Sequence, residues 1–128
     1  MHEDNPAHLG LRFSIEAPGL VARFVPKAMH RGAPGLLHGG LAATALDEVM
    51  GGLSWALDGV HTMTATLDLR YRRPVPLDGR EVTVESWRPV PEPRRRQRVF
   101  GRLRLADGTV AVEASGIFVQ RQFDGRDG

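Results

Sequence analysis

An α+β fold, with one long central helix wrapped by an antiparallel sheet of five to six strands, is what this 128-residue sequence predicts. Three observations carry that prediction. A single apolar stretch with helical spacing runs from about Gly39 to Leu57. After it the hydrophobic period changes to two and stays there almost to the end of the chain. Turn residues separate the alternating stretches at hairpin-like intervals.

Taken in order, Leu11, Phe13 and Ile15 alternate with polar residues, and Ala17-Pro18-Gly19 is a turn. A second short strand over Leu20 to Val25 completes an opening hairpin. Two prolines and two glycines between Pro26 and Leu36 mark a loop that enters the helix. Stepping the helix at about 100° per residue gathers Ala42, Ala45, Leu46, Val49, Met50, Leu53, Ala56 and Leu57 into one broad apolar sector. The other side holds the small residues Ala43, Thr44, Gly51 and Ser54 together with Asp47, with Trp55 at its edge. Gly51 and Gly52 each disfavour the helix by roughly 1 kcal/mol relative to alanine, so a close approach by another backbone or a ligand is expected there. Asp58-Gly59 ends the helix.

A long strand follows, with Met63, Ala65, Leu67, Leu69 and Tyr71 alternating against Thr62, Thr64, Thr66, Asp68, Arg70 and Arg72, and ending near Pro74. Glu81 to Val90 is a strand with Val82 and Val84 inward, and Pro89, Pro91 and Pro93 break the chain after it. Val99, Gly101, Leu103 and Leu105 mark the next strand, and an Asp107-Gly108 turn leads into a last one over Thr109 to Gln120. The whole chain, 1–128, is expected to be a single domain, with 1–8 and 123–128 flexible.

Composition excludes several function classes. There is no cysteine, so neither disulfides nor thiolate catalysis enters. The five histidines show no metal-ligand spacing, and no metal site is expected. The net charge is only +2, too small for nucleic-acid binding by field alone, although sixteen of the seventeen basic residues are arginine, whose planar fork suits phosphate. No apolar run reaches the roughly 18 residues of a membrane span and no signal pattern opens the chain, so a soluble, cytoplasmic protein is expected.

The chemistry is concentrated at the helix. His38-Gly39-Gly40 stands at its start, where backbone N–H groups lack intrahelical partners and can hold a developing oxyanion. Asp47 and Glu48 are its only charged residues before Asp58, and a carboxylate within an apolar helix needs a partner or a task. They lie about 100° apart, so only one of them faces a given site. Together these features suggest hydrolysis of an acyl compound.

The chain resembles the hotdog-fold acyl-CoA thioesterases, specifically the phenylacetate-pathway group. The matching residues are Gly35-Leu36-Leu37-His38-Gly39-Gly40, Asp47 nine positions after the histidine, and Thr64-Ala65-Thr66-Leu67-Asp68-Leu69-Arg70-Tyr71-Arg72-Arg73-Pro74. The element order matches over roughly residues 11 to 121. The resemblance implies a homodimer or dimer of dimers that hydrolyses acyl-coenzyme A without metal or cofactor and involves neither nucleic acid nor membrane. It implies Asp47 as general base or nucleophile, the Gly39 N–H as oxyanion donor, and Thr64 at the place of a hydroxyl residue that assists the aspartate. It departs at Gly32, where many members carry asparagine six positions before the histidine.

Spacing adds a constraint on how such a site assembles. Gly39 and Asp47 are eight residues apart, about 12 Å along a helix, whereas both must come within about 3 Å of the reacting group. If both act on one carbonyl, an antiparallel partner helix must supply one of them. His38 is expected to hydrogen-bond neighbouring backbone rather than act as a base. Gly40 and Glu48 are candidate substrate contacts. Coenzyme A carries phosphates, and Arg72, Arg73 and Arg95 are the candidate ligands for them among several arginines the sequence does not separate.

Overall fold

The computed structural model describes residues 9–121; the segments expected to be flexible, 1–8 and 123–128, lie outside the described residues. The central helix α1 spans Gly39–Asp58. It starts where the glycine pair ends the loop and stops at Gly59, whose φ of 70° places it in the left-handed region that glycine adopts without strain. Gly59 N–H donates to the Trp55 carbonyl at 3.0 Å and Val60 N–H to the Ser54 carbonyl at 3.4 Å, satisfying two of the helix's last acceptors.

Six antiparallel strands curl around this helix: β1 Arg12–Glu16, β2 Gly19–Phe24, β3 Thr62–Tyr71, β4 Val82–Trp87, β5 Arg96–Arg104 and β6 Val110–Gln120. Their order across the sheet is β1-β2-β4-β5-β6-β3. The strand that follows the helix is therefore carried to the far edge, where it pairs only with β6. Each predicted strand is present within a few residues, and the loop before the helix contains one 3-10 turn at Ala28–His30.

The core forms where the apolar sector of α1 meets the inward positions of the sheet. Leu46, Val49, Met50 and Leu53 are buried against residues such as Phe24, Val84, Leu103 and Phe118. Gly101 makes room for Met50 there, because a Cβ on it would stand 2.7 Å from the Met50 sulfur and force that side chain to move. Gly52 is similarly tight, 3.1 Å from a Leu20 methyl, so at the glycine pair the close neighbours are sheet side chains, where the sequence predicts another backbone or a ligand.

Two helix positions differ from the periodicity. Ser54 is buried and donates to Gln97 Oε1 at 3.3 Å, while Leu57 is 43% exposed at the helix end. A buried guanidinium explains the first: Arg88 from the end of β4 reaches Asp58 through two hydrogen bonds of 2.5 and 3.1 Å, and Gln97 lies beside it. This polar cluster makes the C-terminal turn of α1 a place for hydrogen bonds instead of aliphatic packing.

The alternation in β3 also changes partway. Its register against β6 shifts between Thr64 and Thr66, a bulge at Ala65. Leu67 and Leu69 lean inward as the alternation predicts, but on the other side of the bulge the threonines turn toward the helix and Met63 turns to solvent. The outer face of the sheet carries charge pairs, among them Arg102 and Arg104 on Glu85 and Arg72 on Glu113.

Candidate functional site

The site begins at the tip of α1. His38 has an extended backbone (φ −61°, ψ 130°), and its Nδ1 accepts from the Gly40 N–H at 2.9 Å. That makes His38 the N-cap, with its Nδ1 as the acceptor. The His38 carbonyl accepts from Leu41 at 3.0 Å and Ala42 at 3.2 Å. Of the first four helical N–H groups, only that of Gly39 has no partner among the described residues. One donor thus points outward from the positive end of the helix dipole, as an oxyanion site needs.

The tip is held from behind and from the side. His38 N–H donates to the carbonyl of the buried His30 at 2.8 Å, and Leu37 N–H to Val75 at 2.9 Å. The Tyr71 hydroxyl, at the end of β3, donates to the Gly39 carbonyl at 2.7 Å. Gly32 lies so close beneath His38 that a Cβ on it would sit 2.9 Å from the His38 Cα. The glycine at this position is therefore a packing requirement of this loop.

Two turns along the helix, Asp47 is half-buried and accepts from Thr64 Oγ1 at 2.7 Å. The bulge at Ala65 aims Thr64 at the helix, while Thr66, beyond it, accepts from the Ile117 N–H. Asp47, Glu48 and Thr64 line a depression of about 320 Å³ that continues past Gly51 to Trp55 and His61. Trp55 and His61 stack with ring centroids 4.4 Å apart, and Trp55 is 55% exposed. Larger depressions, of about 540 and 400 Å³, lie on the outer face of the sheet around Phe100 and Glu113. Glu113 there is engaged by Arg72, whereas the smaller one holds Asp47 with its Thr64 partner, which makes it the better chemical candidate.

The structure joins Asp47 to Thr64, and His38 to Gly40, and brings Glu48 to the exposed rim of the same depression. It does not join Gly39 to Asp47 within one chain, since both stand on one helix, eight residues or about 12 Å apart. Arg72 pairs with Glu113 through a 2.5 Å contact on the outer face. Arg73 is exposed beside it, and Arg95 is exposed where its carbonyl accepts from Gln120. Among the described residues Asp47 is bonded by Thr64, and none of these three arginines lines its depression. Tyr71 escaped the sequence reading as a functional residue; its place at the end of the strand motif was the available signal. Among the described residues no three His, Cys, Asp or Glu side chains gather as metal ligands, and no helix is long and apolar enough to cross a membrane.

Comparison with known proteins gives the family. A family model described as "Thioesterase superfamily" matches residues 34–112. The chain is 34% identical over 90 residues to an acyl-coenzyme A thioesterase, THEM4, of Bos taurus, covering 70% of this chain and 36% of that protein. The match to THEM4 of Xenopus laevis is 33% identical over 105 residues, covering 79% and 45%. The chain thus spans less than half the length of these curated relatives. Among solved structures, the thioesterase superfamily protein RHA08564 superposes with a TM-score of 0.74 at 32% identity, covering 85% of this chain and 55% of that one. The BH2602 protein of Bacillus halodurans, solved with CoA, shares the fold with a TM-score of 0.77 at 19% identity, covering 90% and 76%.

Proposed function

This chain belongs to the thioesterase superfamily, and from that premise we propose that it hydrolyses acyl-coenzyme A thioesters. The observation that carries the reading is the pairing of a helix tip with one outward, unpartnered N–H and a half-buried aspartate held by a hydroxyl. The acyl-coenzyme A class is taken from the named relatives, and the closer assignment to the phenylacetate-pathway group rests on the His38-Gly39-Gly40 and Asp47 spacing.

In this mechanism the Gly39 N–H donates a hydrogen bond to the developing oxyanion of the thioester carbonyl. Asp47 either takes a proton from the attacking water or attacks the carbonyl carbon itself to form an anhydride that water then opens. In both routes the C–S bond breaks, and the coenzyme A thiolate leaves and takes up a proton. The products are a free acid and a thiol. Thr64 holds the Asp47 carboxylate, and Glu48, Gly40 and the arginines Arg72, Arg73 and Arg95 are the proposed substrate contacts.

The site needs two copies of the chain. One helix sets its Gly39 and its Asp47 about 12 Å apart, so an antiparallel partner helix brings the two groups to one carbonyl. The free edge of β3 supports this reading. It is a long, ten-residue edge strand with exposed Met63 and Tyr71, and pairing it with a second β3 would continue the sheet. Two-fold symmetry then yields two equivalent sites, and a dimer of dimers is the next level.

A second reading, a module that binds acyl-coenzyme A or an acyl carrier protein without turnover, is favoured by Gly32, where packing against His38 leaves no room for a polar side chain. A free-thiol assay over short, aryl and long acyl-coenzyme A substrates tests both. Thiol release that Asp47→Asn abolishes upholds hydrolysis; binding without release upholds the module.

A further inference from the structure

We propose that Tyr71 is a positioning residue that clamps the glycine tip of α1 and so fixes the direction of the oxyanion donor. The proposal rests on the thioesterase reading above and adds a residue to it. Two consecutive glycines are a loosely specified way to start a helix, because glycine has the widest backbone freedom to lose. The structure compensates at each peptide plane. The Gly39–Gly40 peptide is held at both ends, its oxygen by the Tyr71 hydroxyl at 2.7 Å and its N–H by His38 Nδ1 at 2.9 Å. The preceding His38–Gly39 peptide has its oxygen held by Leu41 and Ala42. With both planes pinned, the Gly39 N–H is the group left to point outward.

The ring contributes as well as the hydroxyl. A Cβ on Gly39 would stand 3.6 Å from Tyr71 Cε1 and 3.7 Å from its Cζ and oxygen, so the ring flanks the tip at contact distance. Tyr71 is nonetheless 54% exposed, so core burial does not account for its position. Immediately after it, Arg72 and Arg73 N–H groups both donate to the Ala111 carbonyl, at 2.7 and 3.0 Å, which anchors the end of β3 as a post.

β3 therefore holds both halves of the proposed chemistry. Through Thr64 it steadies Asp47, and one bulge and seven residues later, through Tyr71, it steadies Gly39. In the antiparallel pair each site would take its aspartate–threonine half from one chain and its glycine–tyrosine half from the other. A preorganised donor stabilises charge without reorganising during the reaction, which is why loosening it affects turnover more than binding.

The experiment is Tyr71→Phe, which keeps the ring and removes the hydroxyl. Expected are a fall in kcat of about ten-fold, a KM within about two-fold of wild type, and an unchanged melting temperature and sedimentation coefficient. In protein labelled with 15N-glycine, the order parameters of Gly39 and Gly40 should drop from the rigid value of about 0.85 toward 0.6. A Phe variant with wild-type kcat, or with unchanged order parameters, overturns the clamp. If wild-type protein releases no thiol from any acyl-coenzyme A, the thioesterase reading fails. The order parameters then decide the clamp alone, a drop upholding it and no change overturning it.

Discussion

Thr64 Oγ1 donates a 2.7 Å hydrogen bond to Asp47 Oδ1, tying the edge strand β3 to the middle of α1 across seventeen residues of sequence. The bond exists because a bulge at Ala65 reverses which side chains of β3 face the helix. A carboxylate on a helix otherwise packed with aliphatic groups is thereby oriented in the depression it lines.

Replacing Asp47 by asparagine should remove thiol release by at least about 100-fold, the scale of a lost general base, and leave stability near wild type because the side chain is only half-buried. Steady-state kinetics with parallel thermal unfolding reads both. Hydrolysis close to the wild-type rate would exclude Asp47 from the chemistry.

Thr64→Val keeps the shape of the side chain and deletes the donor. A hydrogen bond to a charged group is worth about 1.5–3 kcal/mol, so kcat/KM should fall about ten-fold or more, and Thr64→Ser should recover most of it. If serine and valine behave alike, the hydroxyl is irrelevant to turnover.

Placing asparagine at position 32 should destabilise this protein. The new Cβ would meet the His38 Cα at 2.9 Å, a backbone atom that cannot swing aside. A loss of about 1–3 kcal/mol is expected in urea unfolding, the range for overpacked sites. Gly32→Asn with wild-type stability would show that the loop has room to move.

Asp58 and Arg88 form a buried ion pair, with side chains only 12% and 6% exposed. Removing the acid as Asp58→Ala strands a guanidinium whose Nε already has no hydrogen-bond partner. The expected loss is about 3–5 kcal/mol, measured by denaturant unfolding. A double replacement of Asp58 and Arg88 by apolar residues should be milder than the single one, and the reverse order would contradict this account.

Glu85 supplies an acid-sensitive contribution to stability. Burial raises its pKa, but hydrogen bonds from Arg102 and Arg104 outweigh burial and leave it below the usual carboxylate range. A depressed folded pKa means the contribution is complete above the unfolded value, near about 4.3, and disappears as pH falls through the lower folded value. Urea midpoints across that interval should decline less steeply in Glu85→Gln than in wild type. Equal slopes would place the acid sensitivity elsewhere, for example at Glu16, which Arg23 and Ser14 lower to about 2.

The amino-acid order alone was sufficient for the helix from Gly39 to its stop at Gly59, the opening hairpin, the strands β4, β5 and β6, and the inward Val82 and Val84 of β4. These features are local: a period of 3.6 or 2, a cap and a turn are written in neighbouring residues and need no distant partner. The candidate pair His38-Gly39 and Asp47 was legible for the same reason, because both stand out against the helix that carries them. The reversal of β3 at Ala65, the burial of Ser54 and the exposure of Leu57 were not, nor was the reach of Tyr71 to Gly39. Each depends on which strand lies beside which and in what register, and side-chain direction changes completely with a one-residue shift. Tertiary pairing alone, placing β3 outermost beside β6, decided which hydroxyls meet the helix.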